Sequence, residues 1–134
     1  MLRQKTKYKY LKFLFLSFFL IGIDQVSKIY VVGSSFPQQF NKLYILGLVG
    51  INNYLYIFLL TVFLLISIKE FLKSSKTSQI IYVFIFSGIF SQFISRIYFG
   101  GVVDFINILN ITVINIADLY IVIGVFTLLL LKKY

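Results

Sequence analysis

Apolar positions fill the chain in four long runs, and charged or polar residues collect between them. A helix needs about 20 apolar residues to cross the bilayer core, so each run reads as a span. The first covers residues 11–32 and follows a basic head of Arg3, Lys5, Lys7, Lys9 and Lys12. It is uncharged over 13–23 and then takes in Asp24 and Lys28. The second, over 43–68, has no charge at all. At about 1.5 Å per residue it exceeds the core thickness, which predicts tilting or fraying at its polar Asn52–Asn53 end. The third covers 77–96 and ends on Arg96. The fourth covers 114–131, opens near Asn115 and has Asp118 as its only charge. The lysine- and serine-containing segment 69–78 is left as a connector. The pattern predicts an all-α membrane protein, four transmembrane helices in one domain over 1–134.

Composition agrees. Of 134 residues, 60% are hydrophobic and 13% charged, whereas a soluble domain carries roughly a quarter charged. At 15.6 kDa and a mean hydropathy of +0.95, the chain is too small to bury so much apolar surface inside itself. Soluble enzymes, secreted toxins and disordered tails are excluded together. The chain has no Cys and no His, which removes disulfides, thiol chemistry and iron–sulfur sites. Zinc would be left with oxygen ligands alone, which zinc sites seldom use. Neither a metal nor a cofactor is expected.

The net charge of +9 invites a nucleic-acid reading, but the basic residues flank apolar runs instead of forming a patch. No nucleic-acid partner is expected. Ten of the 13 basic residues lie in the head, in Lys69, Lys73 and Lys76, or in the tail pair Lys132 and Lys133. With four spans these share one side, so both termini are expected in the cytoplasm and 33–42 and 97–114 outside. The apolar N-terminal run reads as an uncleaved span, because no Ala-x-Ala-like site follows it and Ala117 is the only alanine.

Four acids remain: Asp24, Glu70, Asp104 and Asp118. Glu70 lies among lysines of the connector and reads as a solvated partner for them. The other three lie in or beside apolar segments, where an ionisable residue is a functional hypothesis by default. Four spans would bring them to one depth. Two carboxylates in close approach cannot both ionise easily, so the pair offers a base to activate water and an acid to protonate a leaving amine. The structural reading stands beside this one. Asn115 and Asp118 resemble a helix-capping pair, Asp104 a loop terminus, and Asp24 a partner for Lys28 one helical turn on.

Three elements carry a resemblance. Ile23-Asp24-Gln25-Val26-Ser27-Lys28 resembles the D-Q-x-[TS]-K element in the first span of lipoprotein signal peptidase (signal peptidase II). Phe99-Gly100-Gly101-Val102-Val103-Asp104-Phe105-Ile106 resembles that family's G-x-V-x-D-F segment, and Asn115-Ile116-Ala117-Asp118 its N-x-A-D element. Order and spacing agree from about Leu11 onward. The resemblance implies an intramembrane aspartyl peptidase of the bacterial cytoplasmic membrane, acting on lipid-modified prolipoproteins just before the diacylglyceryl cysteine. Asp104 and Asp118 would be the catalytic pair. Asp24, Lys28, Gln92, Arg96 and Asn115 would support the site or bind substrate. A small extracytoplasmic β-cradle is implied, for which 33–41 is available. A monomer surrounded by membrane lipid is expected. Gly100-Gly101 supplies backbone freedom for a mobile loop gating the site.

Departures from the family pattern are also legible. Gln92, Ser95 and Arg96 stand in the Asn, Asp and Arg places of G-N-x-x-D-R, so only the Arg is kept. The N-x-G-A-x-F element has no clear match within 43–53, and Leu119 replaces the Ser that usually follows N-x-A-D. A divergent peptidase is the leading expectation. The alternative is a catalytically silent relative that binds lipidated or membrane peptides, favoured by the changed residues around the pair. A third reading, a proton- or ion-conducting bundle, is disfavoured because spans two and three are expected to carry no polar stripe, which argues against a continuous pathway.

Overall fold

The computed structural model describes residues 2–41, 44–45, 49–50 and 53–132. Helix α1 spans Leu2–Val32, α2 Asn53–Lys73, α3 Lys76–Phe99 and α4 Ile116–Lys132. Among the described residues six short strands lie between them: β1 Gln39–Asn41, β2 Tyr44–Ile45, β3 Val49–Gly50, β4 Val102–Asp104, β5 Ile106–Ile108 and β6 Thr112–Ile114. Three helical stretches are long and apolar enough to cross a membrane, Tyr10–Val32, Tyr54–Lys73 and Lys76–Phe99. Ile116–Leu131 is a shorter apolar helix. In hydrocarbon the helix is favoured because it satisfies its own backbone polar groups.

Helix α3 is the axis of the bundle. Its most apolar window is 56% buried, against 22% in α1 and 11% in α2. Tyr82, Ile85 and Ile89 of α3 form the core, with Phe63 of α2 and Ile121 and Val125 of α4 packed against them. Side chains facing away from it, such as Phe15, Phe18, Phe58 and Leu65, are more than half exposed, the pattern of a surface wetted by lipid. Helices α3 and α4 approach closely at Gly88, where an added Cβ would come within 2.6 Å of the Ala117 carbonyl and the Ile121 side chain. A small residue at a helix crossing permits such an approach.

The second span differs from the sequence expectation. Residues 44–45 and 49–50, read as part of its first third, pair antiparallel with Tyr44 opposite Gly50 and Ile45 opposite Val49. A continuous apolar run cannot by itself distinguish a strand from a helix, and Gly47, Gly50 and the two asparagines weaken the helix there. The helix begins at Asn53 and continues past residue 68 to Lys73. Most of the expected connector is therefore helical, since Lys and Glu favour helix and their long side chains suit a span end. Only Ser74 and Ser75 separate α2 from α3, and the Ser75 side chain caps α3 by accepting from the Ser78 N–H. Lys42, Asn52 and Lys133 lie outside the described residues.

The cradle expected from 33–41 reduces to a single strand there. That strand, β1, pairs antiparallel with β4, which places Gln39 opposite Asp104 and Asn41 opposite Val102. Strands β5 and β6 form a hairpin in the register Ile106 to Ile114. Its turn has Leu109 and Asn110 at φ 51° and 58°. The Phe105 N–H donates to the Ile114 carbonyl at 3.0 Å, tying this hairpin to the end of β4. Asp104 is thus a strand residue, held from both sides.

Candidate active site

The first turn of α4 is the centre of the polar cluster. Asn115 caps it: its side-chain oxygen accepts from the Asp118 N–H at 3.0 Å, and Asp118 Oδ2 accepts from the Asn115 N–H at 3.2 Å. This reciprocal exchange satisfies two amides that a helix start leaves open. The capping reading of these two residues holds, and it leaves the rest of both side chains available. Asn115 Nδ2 donates to Asp104 Oδ1 at 2.6 Å, so one asparagine joins the strand carboxylate to the helix carboxylate. From α3, Gln92 Nε2 donates to Asp118 Oδ1 at 2.7 Å and reaches Asn115 Oδ1 at 3.3 Å. Asp104, Asp118, Asn115 and Gln92 are all buried. Gln92 Oε1 has no hydrogen-bond donor among the described residues, which leaves an acceptor beside Asp118.

A second layer lies on the α1 side. Asp24 and Lys28 form an ion pair at 2.6 Å with both side chains fully buried. Asp24 Oδ2 also accepts from Ser91 Oγ at 2.6 Å, and Oδ1 accepts from the Ala117 N–H at 2.9 Å. Lys28 Nζ donates to Ser95 Oγ at 2.9 Å. Gln25 Nε2 adds contacts to Ser91 Oγ at 2.7 Å and Ser95 Oγ at 3.1 Å. The expected Asp24–Lys28 pairing is present, but its larger effect is on α4. Asp24 supplies the carboxylate that holds a third amide of that helix's first turn. A negative group is favoured there by the helix dipole as well.

Arg96 lies elsewhere in the site. Its guanidinium carbon is 3.7 Å from the centroid of the Tyr56 ring, a stacked cation–π contact between α3 and α2. Both residues are buried. Tyr56 and Asp118 share the lining of an apolar cavity of about 210 Å³ with Leu59, Leu60, Phe63 and Ile121. Gly100 ends α3 in the left-handed conformation at φ 69°, a place where glycine carries no Cβ penalty. Gly101 is buried between it and β4.

The sequence reading missed Gln25, Ser91 and Tyr56. It also expected no polar stripe in span three, and that is corrected: Ser87, Ser91 and Ser95 recur every fourth residue on α3 and are fully buried. Spacing at i, i+4 puts them on one face, and small hydroxyl residues in an apolar helix mark a helix–helix interface. Those three serines alone could have signalled the α1–α3 contact. The stripe stops near Ser87, whose hydroxyl bonds the Val83 carbonyl and lies 3.0 Å from that of Ser17. It does not run the length of the bundle.

Apolar helices that bury three carboxylates with two cations define an integral membrane protein with a buried polar site. The Signal peptidase (SPase) II family, peptidase family A8, matches residues 16–132, and the chain belongs to that family. A solved bacterial membrane enzyme, determined by the in meso method at 2.3 Å resolution, matches with a TM-score of 0.76 and 25% identity over 91% of this chain and 88% of that one. A second bacterial membrane enzyme, solved in the same way at 1.9 Å, matches with a TM-score of 0.73 and 22% identity, covering 90% and 92% of the two chains. Family membership places the chain among aspartic peptidases and supports lipoprotein signal peptidase function in general.

Proposed function

We propose that the chain is an intramembrane aspartyl endopeptidase that removes the signal peptide of diacylglyceryl-modified prolipoproteins, cutting before the lipidated cysteine. Asp104 and Asp118 are its catalytic pair. The observation that carries this reading is Asn115, which hydrogen-bonds Asp104 through its side chain and Asp118 through its backbone. The two carboxylates are thereby tied to one residue although they sit on different elements. One carboxylate takes a proton from water as it attacks the scissile carbonyl, and the other gives its proton to the departing nitrogen. Charge balance supports a shared proton: Asp24, Asp104, Asp118, Lys28 and Arg96 are all buried, and one added proton makes their sum neutral.

The remaining residues support that pair. Gln92 and Asn115 aim the carboxylates, Asp24 and Lys28 fix the first turn of α4, and Arg96 is held over Tyr56 at the cavity. Gly100-Gly101 lets β4 adjust as substrate enters. In this reading residues 1–134 are one domain with four spans in a bacterial cytoplasmic membrane, both termini cytoplasmic, working as a monomer among membrane lipids. The test is incubation of purified protein with a lipidated prolipoprotein, followed by mass analysis. Release of the signal peptide by wild type and not by Asp118→Asn is expected. Binding without release by either protein would favour the silent relative.

A further inference from the structure

We infer that Glu70 is a specificity residue that receives the basic amino-terminal segment of the substrate's signal peptide. This rests on the peptidase reading above and assigns a recognition role to a carboxylate outside the catalytic cluster. Helices α2 and α4 both pack on α3, and the space between them forms two apolar cavities. The outer one, about 210 Å³, has Asp118 and Tyr56 at one end. The inner one, about 150 Å³, has Glu70 and Leu129 at the other. Phe63 lines both, so they lie end to end along one face of α2.

The length of this open groove matches one occupant. From Asp118 to Leu129 along α4 the groove is about 16 Å long at a rise of about 1.5 Å per residue. That length accepts a helix of roughly 11 residues, within the 7–15 apolar residues of a signal peptide's central region. A signal peptide carries its positive charges on the side of this region away from the cleavage site. With the cleavage point at Asp118, those charges arrive at Glu70.

Glu70 is suited to meet them. It is half-buried and borders an otherwise apolar cavity, and among the described residues no basic group lies within salt-bridge distance of it. Its neighbours Lys69 and Lys73 are exposed and do not line the groove. The sequence reading of Glu70 as a partner for those lysines is therefore not what the structure contains. A carboxylate with no basic partner among the described residues, at the rim of an apolar groove and in a face otherwise rich in lysine, attracts a cation at one point and repels it around that point. This gives position as well as affinity.

The test uses full-length protein in nanodiscs of uncharged phosphatidylcholine, so that anionic lipid does not compete. Three diacylglyceryl-modified peptides differ only at the amino-terminal segment, which carries two Lys, two Gln or two Glu. Wild type should cleave the Lys peptide with a kcat/KM about five-fold above the Gln peptide, chiefly through KM, as one partly exposed ion pair allows. Glu70→Gln should erase that preference while leaving the Gln peptide's kcat/KM unchanged, which shows that the variant folds. Glu70→Lys should invert it in favour of the Glu peptide. Equal handling of all three peptides by wild type, or a preference kept in Glu70→Gln, overturns the inference and leaves the peptidase reading intact. If wild type cleaves none of them, the peptidase reading fails, and the same ranking measured by peptide binding still decides the role of Glu70.

Discussion

Asp24 accepts the backbone N–H of Ala117 at 2.9 Å across a sequence separation of 93 residues. One carboxylate of α1 thereby holds the first turn of α4, next to Asp118. Its other oxygen is bound by Lys28 and Ser91. The α1–α4 contact is thus polar and specific, and it continues the polar α1–α3 contact made through Ser91 and Ser95.

Asp24→Asn should therefore damage stability more than chemistry. It leaves Lys28 buried without its counter-charge, which costs about 3–5 kcal/mol. Thermal unfolding in detergent should show the loss, while the fraction that remains folded should still cleave. Asp24→Asn combined with Lys28→Met should recover part of the stability. Cleavage lost as fully as in Asp104→Asn, in an intact monodisperse protein, would move Asp24 into the catalytic set.

Asp104→Asn and Asp118→Asn should each reduce cleavage to background. The double variant should be no worse than either single one, because groups acting as a unit are not additive. Lipidated peptide should still bind, since the groove between α2 and α4 is unchanged. Wild-type kcat/KM should give a bell-shaped pH profile whose two limbs belong to the pair. Additive losses from the two substitutions would argue against a coupled pair.

Gln92→Leu keeps the bulk and removes the donor to Asp118 Oδ1. A hydrogen bond to a charged group is worth about 1.5–3 kcal/mol, so kcat should fall roughly ten- to hundred-fold with KM little changed. A matching rise in KM would assign Gln92 to substrate binding instead.

Gly88→Ala tests the seat of α4. The added methyl meets the Ala117 carbonyl and Ile121, and overpacking of this kind costs about 1–3 kcal/mol. Both stability and cleavage should drop, because Ala117 adjoins Asp118. Gly100→Ala with Gly101→Ala should instead lower kcat more than it changes KM, as the gating reading requires. Stopped-flow and steady-state kinetics separate the two.

Single cysteines in the Cys-free chain check the topology. A cysteine at Gln38 or Leu109 should react with an impermeant maleimide from outside, and one at Ser75 only from inside. Outside labelling at Ser75 would overturn the four-span arrangement with cytoplasmic termini.

The helices and the candidate acids were legible in the sequence because lipid enforces a simple code: long apolar runs, and few charges unless they have work to do. What the sequence hid lay where that code is silent. The run from Leu43 to Asn53 is apolar enough to pass for the start of a span, yet it contains two strand segments paired antiparallel. Asp104 read as a loop residue because its strand is only three residues long, and its partner β1 lies more than 60 positions earlier. Tyr56 carried no signal of its own. Its value comes from Arg96 stacking on it across two helices, a relation that no local pattern encodes.

The shortness of α4 bears on the membrane itself. Among the described residues α4 has seventeen, a helix of about 26 Å against a hydrocarbon thickness of about 30 Å. A bilayer meeting such a helix thins locally or lets interfacial water reach deeper at the helix end. One of its two ends is the first turn of α4, where Asn115 and Asp118 sit. If the pair hydrolyses a peptide bond, water must reach a depth where lipid would exclude it, and a helix short for its bilayer would admit it there. On the peptidase reading, the acyl-chain length of the host lipid should then control turnover, with thick bilayers covering the carboxylates and thin ones exposing them.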